Sequence, residues 1–82
     1  MDYKESERIL ASVMELLEKE RKRQGLSFRK FGALSGIERT TIWKAETGKR
    51  TPSLPLCLRM ADALGLELAD VLKSVTAKKR RK

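Results

Sequence analysis

The stretch from Ser27 to Gly48, Ser-Phe-Arg-Lys-Phe-Gly-Ala-Leu-Ser-Gly-Ile-Glu-Arg-Thr-Thr-Ile-Trp-Lys-Ala-Glu-Thr-Gly, leaves this chain few ways to fold. It holds two short patterns with helical spacing, separated only by Ser35-Gly36-Ile37. A connection that short permits nothing except a sharp corner, and Gly36 is the residue that breaks the first helix to make it.

The flanking sequence reads as three further helices. Residues 5–24 place Ile9, Leu10, Val13, Leu16 and Leu17 on one stripe of a long helix, which Gly25 caps at its C-terminus. Ser27 is a good N-cap for the second helix, which runs to about Ser35 and is expected to turn Phe31 and Leu34 inward. Glu38 or Ile37 opens the third helix, which ends at Gly48. After the loop Lys49-Arg50-Thr51-Pro52, Ser53 caps a fourth helix, and Pro55 is tolerable because it falls in the first turn. Leu54, Cys57, Leu58, Met60, Ala61 and Leu64 are its expected buried face. Gly65 stops it, and Leu66 to Val75 forms a fifth helix burying Leu68, Val71 and Leu72. No segment alternates at the strand period, so the fold class is all-α: one domain over residues 1–76, with a disordered basic tail at 77–82.

Composition narrows the chemistry. With no histidine and the single cysteine Cys57, the chain has neither an internal disulfide nor a zinc-type ligand set, and no metal or other cofactor is expected. Cys57 falls on a buried stripe and reads as a small core residue. There is no phosphate-cradling glycine loop and no carboxylate pair facing a plausible cleft, so catalysis is not expected. No apolar run approaches membrane-spanning length and Met-Asp-Tyr-Lys-Glu is not a signal peptide, which points to a reducing cytoplasm. The net charge of +8 is unevenly spread: residues 1–20 carry −3 and residues 21–82 carry +11. A basic body behind an acidic leading helix suits a polyanion that meets part of the surface. Solubility alone is the competing explanation.

The third helix bears on this choice, its outer face being either a reading surface or an ordinary solvated helix face. At about 100° per residue, Ile42 and Ala45 point one way, flanked by Glu46, while Thr40, Trp43, Lys44 and Thr47 point the other, with Arg39 and Thr41 beside them. Arginine matches guanine O6 and N7, and a threonine methyl can meet a thymine methyl. Lys44 can reach a base edge or a phosphate, and Thr47 a phosphate oxygen. Trp43 can pack on a deoxyribose or base, lie across the Lys44 stem, or fill a gap against a neighbouring helix. Helix, glycine turn and second helix is the layout of a helix-turn-helix, whose second helix lies in the DNA major groove.

Residues 16–72 closely resemble the xenobiotic-response-element (Cro and lambda-repressor-like) helix-turn-helix family. The matching elements are Arg21, Gly25-Leu26-Ser27, Gly36-Ile37, Ile42, Ala63-Leu64-Gly65 and the string Glu46-Thr47-Gly48-Lys49-Arg50-Thr51-Pro52-Ser53-Leu54, which is the most specific. Arg39 to Ile42 and the small size look like restriction–modification controller proteins or prophage repressors. The resemblance implies a five-helix domain in which Arg39, Thr40 and Lys44 face bases. It implies that Ser27, Thr41, Thr47, Lys49 and Arg50 contact the DNA backbone, where Trp43 can join them. It also implies a structural ion pair between Arg21 and Glu46. Phe28 stands where the family often has a backbone-touching glutamine, a contact Arg29 can replace; Gly32 replaces a usual alanine; Trp43 and Ala45 invert a frequent order; and Glu20 sits where an apolar residue is common.

The implied function is a sequence-specific transcriptional regulator of the repressor or controller type, in a bacterial or phage-encoded, nucleoid-associated setting. Its partners are double-stranded DNA and a second copy of itself, paired through Leu66, Leu68 and Leu72, and no membrane. An antitoxin-type protein that binds a toxin and autoregulates its operon is the alternative, because Ile9, Leu10 and Val13 leave room for a partner. A nucleic-acid binder without sequence preference is a third. The run Lys78 to Lys82 either tracks phosphates or solubilises the end.

Overall fold

The computed structural model describes residues 1–80, and five helices form them: α1 (Tyr3–Arg23), α2 (Phe28–Ser35), α3 (Arg39–Glu46), α4 (Leu54–Ala63) and α5 (Leu68–Arg80). No strand occurs among the described residues. α1 begins before the expected start because the Asp2 carboxylate accepts a hydrogen bond from the Glu5 N–H at 2.8 Å, capping the helix. It ends in a Schellman turn: Gly25 at φ 71° donates to Lys22 O at 2.9 Å, and Leu26 donates to Arg21 O at 3.0 Å. Ser27 and Ser53 cap α2 and α4 through the N–H groups of Lys30 and Leu56.

Val13, Met14 and Leu17 of α1 meet Phe31, Ile37, Ile42 and Ala45 of the corner, with Leu56, Cys57, Met60, Ala61, Leu64, Leu68 and Val71 closing the core. Several apolar side chains expected inside lie outside. Leu34 is 61% exposed, because Phe31 is the one side chain that α2 buries and Ile37 fills the space that follows. On α4 the buried sector is centred on Met60 and Cys57, so Leu56 enters it while Leu54 (63% exposed) and Leu58 fall on the flank. On α5 the inward positions are Leu68 and Val71, which leaves Leu72 exposed. The expected pairing set therefore divides. Leu68 is 6% exposed and belongs to the core, Leu66 is half-buried against that core, and Leu72 is the member facing outward. α5 starts later and runs longer than expected, continuing past Val75 through Arg80, so residues 77–80 of the expected tail are helical. Arg81 and Lys82 lie outside the described residues, as do the expected contacts of the tail's charges.

Polar contacts lock the helices together. Arg21 of α1 donates from Nε to Glu46 Oε2 at 2.7 Å and from Nη2 to Glu46 Oε1 at 2.9 Å, a bidentate pair with the Glu46 side chain only 2% exposed. Its Nη1 donates to Leu26 O at 2.6 Å, and its guanidinium lies 4.3 Å from the Phe28 ring centroid. Glu20 accepts from Arg23 Nη2 at 2.6 Å and from Gln24 Nε2 at 2.8 Å. Gln24 also donates to Leu64 O at 2.9 Å, tying the end of α1 to the end of α4. This explains a carboxylate at a position where an apolar side chain was the ordinary expectation. Arg23, and after it Gln24, hold the Glu20 carboxyl down at about 2, against an ordinary 4.5.

Gly32 has a steric reason to be glycine. A Cβ there would stand 2.8 Å from the backbone oxygen of Ile37, so α2 can approach the following turn this closely only without a side chain.

Three outcomes follow from these contacts. Glu46→Gln strands the buried Arg21 charge and is expected to cost ~3–5 kcal/mol in urea unfolding, whereas Arg21→Met combined with Glu46→Leu costs less than either single change. Gly32→Ala should lower stability by ~1–3 kcal/mol through overpacking, against the gain of up to ~1 kcal/mol that helix propensity alone assigns. A rise in the unfolding midpoint would mean the Ile37 carbonyl yields freely. For Glu20 the folded pKa lies below the unfolded one, so its contribution is complete above pH 4.5 and is lost as pH falls towards about 2. Thermal melts of Glu20→Gln and the parent should therefore differ at neutral pH and converge in that acid window.

Candidate nucleic-acid interface

The corner between α2 and α3 is built by its own sequence. Gly36, at φ 72°, donates its N–H to Gly32 O at 2.9 Å and so ends α2 in a left-handed turn that a side chain would strain. Ser35 Oγ donates to Phe31 O at 2.7 Å and accepts from Ile37 N at 3.3 Å. Arg59 of α4 reaches over the turn and donates from Nη2 to Gly36 O at 2.6 Å. Ile37 then drops into the core and Glu38 opens α3. The turn is held from beneath by packing and from above by an arginine.

α3 is thereby fixed with Ile42 and Ala45 buried and Arg39, Thr40, Trp43, Lys44 and Thr47 exposed, while Thr41 is half-buried on the flank. Gly48, Lys49 and Arg50 continue the surface: the N–H groups of Lys49 and Arg50 both donate to Lys44 O, at 2.9 and 3.2 Å, folding this loop against the end of α3. Ser27, Arg29 and Lys30 lie exposed at the start of α2. Among the described residues Arg29, Lys30, Arg39, Lys44, Lys49 and Arg50 join no ion pair with an acid. None of these charges is held in a direct contact pair, which leaves them available to a polyanion.

Two side chains have partners that sequence reading did not supply. Thr47 Oγ1 donates to Trp43 O at 2.8 Å, so its hydroxyl proton is already committed and a phosphate contact from it means exchanging that bond. Trp43 carries Lys49 above its ring, Nζ lying 5.9 Å from the centroid. Phe28 was the omission. Its ring lies half-buried under Arg21, and it lines one open cleft with Arg39, Thr40 and Trp43. The available signal was an aromatic residue in the first turn of α2, directly after its cap, where the side chain can meet the outer side of α3.

The rest of the surface is different in character. Glu7, Glu15 and Glu18 of α1 line an open groove of about 340 Å³ that is bounded opposite by Arg50, Thr51 and Pro52. Carboxylates facing a cleft were not foreseen; Glu18 is paired with Lys22 at 3.0 Å. A second groove, of about 240 Å³ and apolar, runs between Ile9, Leu10 and Val13 of α1, Leu54 and Cys57 of α4, and Leu68 and Leu72 of α5. The Cys57 thiol beneath it is buried, and that burial raises its pKa. Among the described residues no three metal-binding side chains gather, and no helix is long and apolar enough to cross a membrane.

Comparison with known proteins agrees with this architecture. Residues 15–73 match the family described as a helix-turn-helix domain. Proteins of Methanosarcina mazei and Methanosarcina acetivorans that carry the provisional name HTH-type transcriptional regulatory protein are each 37% identical over 71 residues. That alignment covers 83% of this chain and 22% of each relative, so the chain spans about a fifth of their length. No solved structure matches it. With the five helices, the glycine corner and the exposed α3 surface in place, the chain belongs to the xenobiotic-response-element type of helix-turn-helix family, a class of DNA-binding domain.

Proposed function

We propose that this protein regulates transcription by binding a specific DNA sequence as a homodimer, with α3 in the major groove. The observation that carries the reading is the outward row on α3, Arg39, Thr40 and Lys44, framed by exposed cations that join no ion pair among the described residues. In this arrangement Arg39, Thr40 and Lys44 meet base edges, Arg39 suiting guanine O6 and N7. Ser27, Arg29, Thr41, Thr47, Lys49 and Arg50 hold the sugar–phosphate backbone and set the register, and Trp43 stands between these backbone contacts and the base-facing row. The names of the Methanosarcina relatives support regulation as the outcome of binding.

One domain of this size reaches few base pairs, and two copies related by a two-fold axis supply the specificity a genome demands. With Leu68 in the core, the pairing face we favour is the apolar groove around Ile9, Leu54 and Leu72. That same groove is what keeps an antitoxin-type reading in view, since a foreign protein of apolar surface is its other fitting occupant.

Selection of bound duplexes from a random pool tests the proposal. The expected result is a two-fold symmetric site with half-sites about 34 Å apart, one turn of B-DNA. On that site Arg39→Ala is expected to lose ~1–3 kcal/mol and relax one base position, while Lys49→Ala weakens cognate and random DNA alike and lowers the salt slope by about one. Equal losses on both DNAs for Arg39→Ala would remove it from the reading set. A single unrepeated half-site bound at full affinity would sink the dimer and leave the groove to a foreign partner.

A further inference from the structure

The cleft shared by Phe28, Arg39, Thr40 and Trp43 is an open recess of about 220 Å³ where the first turn of α2 meets the outer side of α3. Two of its walls are aromatic, and the surface around it is polar and cationic. Both rings are steadied by cations. Arg21, itself clamped by Glu46, lies 4.3 Å from the Phe28 centroid, and Lys49 Nζ lies 5.9 Å from that of Trp43. Neither ring is closed off, for Trp43 stays 42% exposed and Phe28 half-buried. The recess is continuous with the α3 reading surface, because Arg39 and Thr40 belong to both.

The major groove of DNA offers an apolar recess one apolar group, the 5-methyl of thymine. We propose that this cleft receives the 5-methyl of a thymine neighbouring the base pair that Arg39 reads, which makes Phe28 and Trp43 specificity-determining residues. The inference rests on the DNA-binding reading above. 5-Methylcytosine carries the same methyl, and Arg39 is what separates the two. A guanidinium only donates, so a base seated beside it must turn an acceptor towards it. Thymine presents O4 there, whereas 5-methylcytosine presents its N4 amino donor.

The test uses the duplex selected by the parent protein, with each thymine replaced in turn by uracil, which removes the methyl and nothing else. The parent is expected to bind about fourfold more weakly at one thymine in each half-site, the effect of losing one buried methyl. In Trp43→Ala and Phe28→Leu the thymine-to-uracil ratio at that position should fall towards one. This ratio is internal to each variant and unaffected by any general loss of affinity, and thermal melts establish that both variants fold. Replacing the same thymine–adenine pair by a 5-methylcytosine–guanine pair should leave binding weaker than with thymine; equal binding overturns the choice of thymine. Specific binding with no uracil effect at any position, or a full effect retained in Trp43→Ala, overturns the proposal while leaving the DNA-binding reading intact. Absence of any specific duplex removes both.

Discussion

The bidentate contact between Arg21 and Glu46 is the joint on which the rest of the molecule depends. It fastens the last turn of α1 to the last turn of α3, the helix whose outer side carries the candidate reading residues. The same guanidinium donates to Leu26 O in the connection that enters α2 and lies against Phe28, the first residue of that helix. One side chain therefore sets α1, α2 and α3 relative to one another. Only a planar group with several fixed donors can do this, and a lysine at position 21 would lack both the fork and the flat face. The contact leaves no buried side-chain polar atom without a partner among the described residues, so the ion pair is embedded without a stranded group.

Much of this was legible in the sequence because it rests on local chemistry. Ser27, Gly36, Ser53, Gly25 and Gly65 mark their helix ends through caps and turns that need a particular residue type, and the helices lie accordingly. The buried and exposed sides of α3 follow from helical periodicity alone, with Ile42 and Ala45 inward. What periodicity misjudges is the edge of a stripe. Leu34, Leu54, Leu58 and Leu72 sit within reach of an apolar stripe, yet whether such a residue enters the core depends on how the neighbouring helix is placed. That placement is a tertiary property. The α5 end was misread for a related reason: a run of like charges reads as tail, but a helix already docked through Leu68 and Val71 continues into it.

The two departures from the family pattern that bear most on the candidate site have tertiary causes as well. Gly32 looks like a weak point in a helix until the Ile37 carbonyl is seen to occupy the place of its side chain. Phe28 looks like a lost polar contact until Arg21 is found stacked upon it. In each case the residue type is set by an atom from another segment, at a distance that no spacing rule encodes. The α2–α3 corner is consequently tight on its inner side and aromatic on its outer side.

The uneven distribution of charge also bears on how quickly such a molecule finds DNA. Glu7, Glu15 and Glu18 form an acidic bank beside Arg50 and Thr51, while Arg29, Lys30, Arg39, Lys44 and Lys49 are exposed on α2, α3 and the loop that follows with no acid paired to them among the described residues. A molecule with this asymmetry behaves as an oriented dipole near a polyanion. In the proposed DNA-binding mode it turns during diffusion, before any atom touches, because approach across that acidic bank is less favourable than approach across α3. Fewer encounters are wasted on the wrong side, which raises the association rate more than it lengthens the lifetime of the complex. The Glu7, Glu15 and Glu18 bank thus narrows the angle of arrival, an effect that extends about 8 Å into physiological salt and shrinks as ionic strength rises.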